Sequence, residues 1–385
     1  MNVAELLFSL VRAALCGTTV DAKTIDCLDS DTLCALYKLS DSHDIAHILG
    51  QSLSKLGLLD KGEVSVNFRR KAMLAVSRYE QLNYELNRIC EALEEAQIPF
   101  VPLKGSVIRK YYPEPWMRTS CDIDVLVHEE DLMKAVACLE ETLGYTRGRQ
   151  GRHDIPLRSA GGVLLELHYD LVEDDAANAA SEVLKNVWSM VASRDGKTYW
   201  QEMPDALYYF YHVAHMAKHI QQGGCGIRPF VDLWFLDNSS ADSKQRDTLL
   251  KKGNLLQFSR VASKLSRVWL ANVPHDIVTE KLENYIFRGG VYGTMSNSIA
   301  VQQQRRGGKL KYLLSKVFIT YGTIKYHYPI LQKCPWLMPV MQVRRWCKLV
   351  FCGHARRTVQ ELSYNQKVPK SQAEEVRLFL EEVGL

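Results

Sequence analysis

The chain has 385 residues, of which 46% are hydrophobic and 24% are charged, and its formal net charge is +4. These proportions are ordinary for a globular protein and exclude a fibrous or wholly disordered chain. No apolar run reaches the ~18 to 20 residues that a membrane-spanning helix needs. The length allows two or three domains.

The cysteines are scattered singly and form no CxxC pair, which argues against a zinc ribbon or a redox motif. The N-terminus MNVAELLFSLVRAAL carries Glu5 and lacks the basic start of a signal peptide. We therefore expect free thiols and a cytoplasmic location.

Residues 1–97 are predicted to form a helical N-terminal region, because their apolar residues recur at helical spacing. Residues 98–180 change pattern and predict an α/β core. In chain order we expect a strand at IPFVPLKG, a short helix at SVIRKYY, a strand at CDIDVLV, a helix that ends at Gly144, and a hairpin that turns at Gly161 and Gly162.

Residues 181–385 are predicted to form a helical C-terminal region, which makes the whole chain α+β. The clearest helix is DALYYFYHVAHMAKHIQQGG. Within this region, residues 301–360 form a basic stretch. No Asp or Glu occurs between residues 284 and 360.

Asp122 and Asp124 lie one residue apart in the predicted strand CDIDVLV, so both side chains point to the same side. Two neighbouring carboxylates repel each other unless a cation lies between them, and a bound metal is the simplest answer. Glu166 lies on a neighbouring predicted strand and supplies a third carboxylate. Mg²⁺ prefers such oxygen ligands together with substrate phosphates.

The turn at Lys104, Gly105 and Ser106 runs from a strand directly into a helix. A small residue at such a turn lets the backbone approach a ligand, and the N-terminus of the helix suits a phosphate. The lysine is expected to contact a triphosphate as a point charge.

These motifs together resemble the nucleotidyltransferase fold of the DNA polymerase β superfamily. The resemblance rests on K-G-S at 104–106, Arg118, D-I-D at 122–124 and E-L-H at 166–168. More narrowly, the chain resembles an uncharacterised bacterial nucleotidyltransferase family in which an LKG turn replaces the usual Gly-Gly or Gly-Ser. The later HxxxH helix and the R-P-x-x-D at 228–232 belong to the same likeness.

The resemblance implies a polymerase β-like core between helical regions, and two Mg²⁺ ions with an NTP as substrate. It implies that Asp122, Asp124 and Glu166 are the catalytic and metal-binding residues. The residues expected to bind the nucleotide are Lys104, Gly105, Ser106 and Arg118. Two departures are Lys104 at a position where glycine is common, and a glutamate as the third acid.

Further residues are accessory candidates. His168 points the same way as Glu166 and is expected to support the metal ligands. His212, His215 and His219 share one helix face, which fits packing, a role near the substrate, or zinc binding, although no third zinc ligand is evident. His153 is a weaker candidate of the same kind.

Arg228 and Asp232 are four residues apart and are expected to form an ion pair or to support the site. Arg118 is expected either to support the phosphate or metal site or to pair only with a local carboxylate.

The basic stretch 301–360 suggests an anionic partner, namely a nucleic acid, an acidic glycan or a membrane surface, with a solvated face as the alternative. Trp336 and Trp346 among basic residues fit either a peripheral membrane contact or helix packing.

The sequence thus predicts a Mg²⁺-dependent enzyme that transfers NMP from an NTP to a hydroxyl acceptor and releases pyrophosphate. A small molecule or glycan-pathway acceptor is favoured, because no RNA-binding module is evident. The alternatives are an RNA- or protein-directed, toxin-like transferase and an inactive nucleotide-binding scaffold.

Overall fold

A computed structural model shows helices surrounding one five-stranded mixed sheet, which confirms the α+β class. The strands of this sheet all lie between residues 100 and 168, inside the predicted α/β core. The structure describes residues 2–172, 178–239, 242–290, 293, 295–351, 361, 363–366 and 369–385.

Five helices precede the sheet, as the sequence predicts. They are α1 (Val3–Cys16), α2 (Ala22–Asp26), α3 (Ser30–Ser42), α4 (Ala46–Lys55) and α5 (Glu63–Glu95). Asn2 and Glu5 form a capping box at the start of α1, and aspartates cap α2 and α3. Helix α5 continues for 33 residues because no glycine or proline interrupts it.

The sheet has the strand order β1-β2-β5-β4-β3. The strands are β1 (Phe100–Pro102), β2 (Asp122–Val127), β3 (Thr146–Arg147), β4 (Asp154–Arg158) and β5 (Leu164–His168). Strands β2 and β5 are parallel, and the other neighbours are antiparallel. The predicted hairpin is the β4–β5 pair, and Gly162 in its turn has a φ of +79°.

Two helices connect these strands, α6 (Gly105–Ile108) and α7 (Leu132–Leu143). Helix α6 continues into a 3₁₀ turn at Arg109–Tyr111, and a second 3₁₀ turn covers Pro115–Met117. Helix α7 ends at Gly144 in the left-handed conformation, which confirms the predicted C-cap.

The alternation of β2 separates its apolar side chains from its acidic ones. Ile123, Val125 and Val127 are buried in a cluster with residues of α5 and α7. Asp122 and Asp124 therefore point to the opposite side of the sheet. Helices α5 and α7 cover one face of the sheet, and the acids lie on the other face.

The elements after the sheet are two short strands and twelve described helices. They are α8 (Ala179–Leu184), β6 (Ala192–Ser193), β7 (Gln201–Glu202), α9 (Asp205–Gln221), α10 (Arg228–Asp237), α11 (Ser243–Lys252), α12 (Leu256–Ala271), α13 (Ile277–Gly289), α14 (Met295–Arg305), α15 (Lys309–Val317), α16 (Tyr321–His327), α17 (Ile330–Lys333), α18 (Met338–Phe351) and α19 (Lys370–Val383). The predicted clear helix is α9. The 3₁₀ turns are Val187–Ser189 and Pro335–Leu337.

One buried cluster combines apolar residues from all three predicted regions. Leu7 and Leu10 of α1 share it with Leu103 after β1 and with Phe230 and Trp269 of later helices. The N-terminal helices thus pack against the helices that follow the sheet. The division at residues 97 and 180 stays a prediction.

The basic stretch contributes to two smaller clusters. One contains Ile299, Tyr312 and Val376, and the other contains Leu331 and Met341. Arg356 and Arg357 lie outside the described residues. Across the described ranges, no helix has the length and apolar character to cross a membrane.

A buried ion pair fixes α10 against the segment that follows α6. Arg118 Nε donates to the carboxylate of Asp232 over 2.7 and 3.0 Å, and the Tyr112 hydroxyl donates to the same carboxylate over 2.7 Å. Burial raises the pKa of Asp232, but Arg118 outweighs it and holds the pKa below its ordinary value. This contact holds one wall of the cavity described below.

We expect Arg118→Met to lower the free energy of unfolding by about 3 to 5 kcal/mol, because it leaves a buried carboxylate without its cation. Urea unfolding measures the change. The matched variant Arg118→Met/Asp232→Asn removes the charge and keeps an acceptor for Tyr112, so it should lose less stability. A double variant at least as unstable as the single one would contradict this role.

Candidate active site

Lys104 occupies the turn between β1 and α6 in a backbone conformation that is rare for a residue with a side chain. Its φ is +46° and its ψ is −122°. The Tyr208 hydroxyl donates a hydrogen bond to the Lys104 carbonyl over 2.8 Å and so ties the turn to α9. Gly105 follows, where a Cβ would lie 3.1 Å from the Cβ of Ser120. The turn therefore favours glycine at position 105.

The predicted phosphate contact at this turn has mixed structural support. Helix α6 has only four residues, so the positive field at its N-terminus is small. Ser106 Oγ is buried and has no hydrogen-bond partner within the described chain, but Ser106 does not line the cavity. Gly105 does line it. Nucleotide binding at this turn stays a prediction.

The parallel pairing of β2 and β5 brings the predicted carboxylates together. Asp124 and Glu166 are directly opposite in the register of these two strands. Asp122 lies two residues before Asp124 on the same side of β2. All three line a single cavity, as the sequence predicts for three cooperating acids.

Asp124 is the buried centre of this group. Lys104 Nζ lies 2.7 Å from Asp124 Oδ1, and His168 Nε2 lies 2.9 Å from the same oxygen. His168 Nε2 also lies 3.6 Å from Glu166 Oε2. The position of His168 agrees with the supporting role expected from the sequence.

The charges of these neighbours shift the acids in opposite directions. Burial raises the pKa of Asp124, but Lys104 and His168 lower it well below its ordinary value. Burial and the neighbouring Asp124 and Glu166 raise the pKa of Asp122 to about 6. Burial lowers the pKa of His168, but its hydrogen bonds to the acids raise it overall. Asp122 is thus the acid whose charge lacks compensation.

The donor set fits a magnesium ion. Ligand atoms of Asp124, Glu166 and His168 lie within 4.8 Å of one another, the only such group among the residues the structure describes. Carboxylate oxygens are the protein ligands that Mg²⁺ prefers, whereas imidazole suits softer metals. The His168 nitrogen is already within hydrogen-bond distance of Asp124, so we assign His168 as a partner of the ligands.

The cavity above these acids has a volume of about 400 Å³, in the range of small-molecule sites. Its walls come from the sheet, the Lys104 turn, α9 and α10. The polar side chains that line it include Lys104, Arg118, Ser120, Asp122, Asp124, His153, Glu166, Tyr208, Tyr211, His212, His215, Lys218, His219, Arg228 and Asp232.

The histidines of α9 line the cavity but pair among themselves or with the backbone. His212 Nε2 donates to the Pro229 carbonyl over 2.9 Å. The Nε2 atoms of His215 and His219 lie 3.2 Å apart, so one ring donates to the other. Burial lowers the pKa of His219 to about 4 and that of His215 far below its ordinary value. Among the described residues these histidines form no three-ligand zinc site.

Arg228 and Asp232 have other partners than the ion pair predicted between them. Arg228 Nη1 donates to Asp44 Oδ2 over 2.6 Å, while Asp232 pairs with Arg118. The pairs join residues 184 and 114 positions apart in the chain. The i,i+4 rule gave the wrong partner because tertiary packing offers each charge a closer one. Nucleotide binding by Arg118 stays a prediction.

His153 stacks against His168 with ring centroids 5.6 Å apart. Burial, followed by the charge of His168, lowers the pKa of His153 to about 4. A neutral ring beside His168 fits the weak accessory role that the sequence suggests.

Sequence reasoning missed Tyr211 and Lys218, which line the cavity beside His215. Their spacing along α9, four and three residues, places them on one face of the helix. Burial and the nearby Lys104 lower the pKa of Lys218 to about 8. That spacing is a signal in the sequence, but only the position of α9 shows that this face meets the carboxylates.

Comparison with known protein families shows which family this chain is similar to. A family model described as "Uncharacterised nucleotidyltransferase" matches residues 30–270. This range contains the Lys104 turn, the three carboxylates, α9 and α10. No curated protein and no solved structure matches the chain.

His43 gives the fold a sensitivity to acid. Its ring is fully buried, and neither ring nitrogen has a hydrogen-bond partner within the described chain. Burial lowers its pKa to about 4, whereas an unfolded histidine titrates near ~6.5. The unfolded state therefore binds the extra proton first as the pH falls.

We expect the His43 contribution to the free energy of unfolding to fall by about 3 kcal/mol between pH 7 and pH 4. Urea unfolding of wild type and His43→Phe at both pH values measures it, and the variant should lose less stability on acidification. His128→Phe, at a partly exposed position, is the control. Equal acid losses in wild type and His43→Phe would contradict the assignment.

Asp122→Asn should stabilise the metal-free protein, because it removes one of three crowded negative charges. From the shift of the Asp122 pKa to about 6, we expect a gain of up to about 3 kcal/mol at neutral pH. Thermal unfolding in EDTA measures it. Added Mg²⁺ should raise the Tm of wild type and raise that of the variant less. A variant that is less stable than wild type in EDTA would contradict the charge crowding.

Proposed function

The chain belongs to the uncharacterised nucleotidyltransferase family, and from this membership we propose that it transfers a nucleoside monophosphate from an NTP to a hydroxyl acceptor. Two Mg²⁺ ions and release of pyrophosphate complete the proposed reaction. The observation that carries the proposal is the convergence of Asp122, Asp124 and Glu166 beside Lys104 in one cavity.

In the proposed reaction, the acceptor oxygen forms a bond to the α-phosphorus while the bond from that phosphorus to the bridging oxygen breaks. Pyrophosphate leaves with the bond electrons. Glu166 takes the proton of the acceptor hydroxyl, which is the role that the family resemblance gives to the third acid. Asp122 and Asp124 would hold the metal ions, whose positive charge would attract the triphosphate.

Bound Mg²⁺ would polarise the transferring phosphoryl group and neutralise charge on the leaving group. The carboxylates of Asp122, Asp124 and Glu166 would hold it. The ammonium groups of Lys104 and Lys218 line the same cavity and would attract the triphosphate. A cation held by Asp124 would compete with the Lys104 ammonium for that carboxylate, which would leave Lys104 available to the phosphates.

The proposed acceptor is a small molecule or a glycan-pathway compound. A second cavity of about 200 Å³ shares Tyr211, His215 and Lys218 with the first. Its other walls include Leu171, Leu184 and small residues such as Ala214. A cavity of this size next to the first one supports a compact acceptor more than a protein or RNA chain.

The inactive-scaffold alternative has less support. A scaffold without turnover has no need for three carboxylates in one cavity, because their mutual repulsion costs stability. The proposed location is the cytoplasm, and the free thiols of the described cysteines support it.

The test is calorimetric binding of non-hydrolysable analogues of the four NTPs, with and without Mg²⁺. We expect one or more analogues to bind wild type only with Mg²⁺, and Asp122→Asn/Asp124→Asn to lose that binding. Glu166→Gln should retain more of this binding. In a separate assay with natural NTPs and candidate hydroxyl acceptors, it should lower the rate of pyrophosphate release by about a hundredfold or more, because it removes the general base. The nucleobase of the analogue that binds best then directs the search for the acceptor.

Glu130→Gln is the matched control, since Glu130 is exposed and lies outside the cavity. It should bind and turn over like wild type. Failure of every analogue to bind folded wild type would overturn the proposal. Mg²⁺-dependent binding that survives in the double aspartate variant would place the nucleotide elsewhere.

A further inference from the structure

The C-terminal helices carry a feature outside the family match, which ends at residue 270. Residues 284–360 contain no Asp or Glu, so a cation in this range can pair only with an acid from another part of the chain. Lys316, for example, pairs with Glu361 over 3.1 Å.

Helix α18 exposes an apolar stripe next to cations. Trp336 precedes the helix and is 75% exposed, and Val340 and Val343 are 56% and 51% exposed. These residues are four and three positions apart, so they lie on one side of the helix. Arg344 is exposed and lies four residues after Val340 on the edge of this stripe, and Lys348 is exposed one turn further along the helix. Buried residues of α18, such as Met341, lie on the other side.

Helix α15 repeats the arrangement. Leu310 is 68% exposed, and Leu314 and Phe318 are also exposed at successive positions four residues apart. Lys311 is exposed beside them. The end of α15 contacts α18, where the rings of Phe318 and Trp346 have centroids 5.3 Å apart. Trp346 thus packs between helices, whereas Trp336 projects into solvent.

Single exposed apolar residues are common on protein surfaces and carry no message. Here seven large exposed hydrophobic side chains occur within 34 residues of chain. They are Leu310, Leu314, Phe318, Ile330, Trp336, Val340 and Val343. Helix α5 also exposes several large hydrophobic side chains, but its sequence includes acids such as Glu63 and Glu80, whereas residues 310–343 include none.

We propose that the stripes of α15 and α18 dock this protein on the surface of an anionic lipid bilayer. We call them the docking stripes: Leu310, Leu314, Phe318, Trp336, Val340 and Val343, with the cations Lys311, Arg344 and Lys348. The apolar side chains enter the boundary between headgroups and acyl chains, and the cations contact the lipid phosphates.

The composition of the stripes favours lipid over nucleic acid or a second copy of the chain. Nucleic acid would use the cations and stack on aromatic rings, but Leu310, Val340 and Val343 are aliphatic and gain little from it. Two copies packed through these stripes would bring cations against cations without an acid between them. Lipid headgroups satisfy the charge and the acyl chains cover the aliphatic groups.

The test is co-sedimentation of the full chain with phosphatidylcholine vesicles, with and without about 30 mol % phosphatidylglycerol. We expect binding to the anionic vesicles and little to the neutral ones. Arg344→Gln/Lys348→Gln should weaken binding by about fivefold for each lost cation. Val340→Ser/Val343→Ser should weaken it by about tenfold or more through lost apolar burial. No nucleotide is present, so the result is independent of the proposed reaction.

Met73→Ser/Leu74→Ser is the matched control, because these side chains of α5 are 72% and 57% exposed away from the docking stripes. It should bind like wild type. Absence of binding to anionic vesicles would overturn the proposal, as would equal losses in the control. Tighter binding to transfer RNA than to vesicles, unaffected by Val340→Ser/Val343→Ser, would replace the lipid with nucleic acid.

Discussion

A buried carboxylate needs a compensating cation, and Asp124 imposes this requirement on the whole site. Lys104 and His168 meet it on a single oxygen, Oδ1. For the lysine to reach that position, its backbone adopts a left-handed conformation, and Tyr208 of α9 holds its carbonyl. The charge of one residue in β2 is therefore coupled to the β1–α6 turn and to the docking of α9.

This arrangement explains how the site can respond to a metal ion. Lys104 and His168 both contact Asp124 at Oδ1. Among the described residues Asp122 forms no ion pair, and burial together with the neighbouring Asp124 and Glu166 raises its pKa to about 6. An ion between the acids would remove the repulsion and release Lys104 for a phosphate. The same cluster of Lys104 and the three acids thus serves both the metal-free protein and the proposed nucleotide complex.

The cavity around the acids and the C-terminal stretch 284–360 differ in how their charges are arranged. Around the acids, cations and carboxylates are paired in a buried cavity, as Arg118 with Asp232 shows. In the stretch from residue 284 to 360, cations occur without acids and beside exposed aliphatic groups. The first arrangement suits a compact polar substrate, and the second suits an extended anionic surface.

The sequence by itself determined the local elements and the identity of the acids. Strand alternation placed Asp122 and Asp124 on one side of β2. Gly144 marked a helix end, and Gly162 marked a hairpin turn. Each of these features depends only on residues close in the chain, so the sequence was enough. It could not determine which charges meet across the fold. Arg118 pairs with Asp232, and Arg228 with Asp44, over separations that local rules do not reach. The position of Lys218 in the cavity wall and the exposure of Trp336 likewise depend on how whole helices pack. Burial is a property of the assembled structure and not of the single residue.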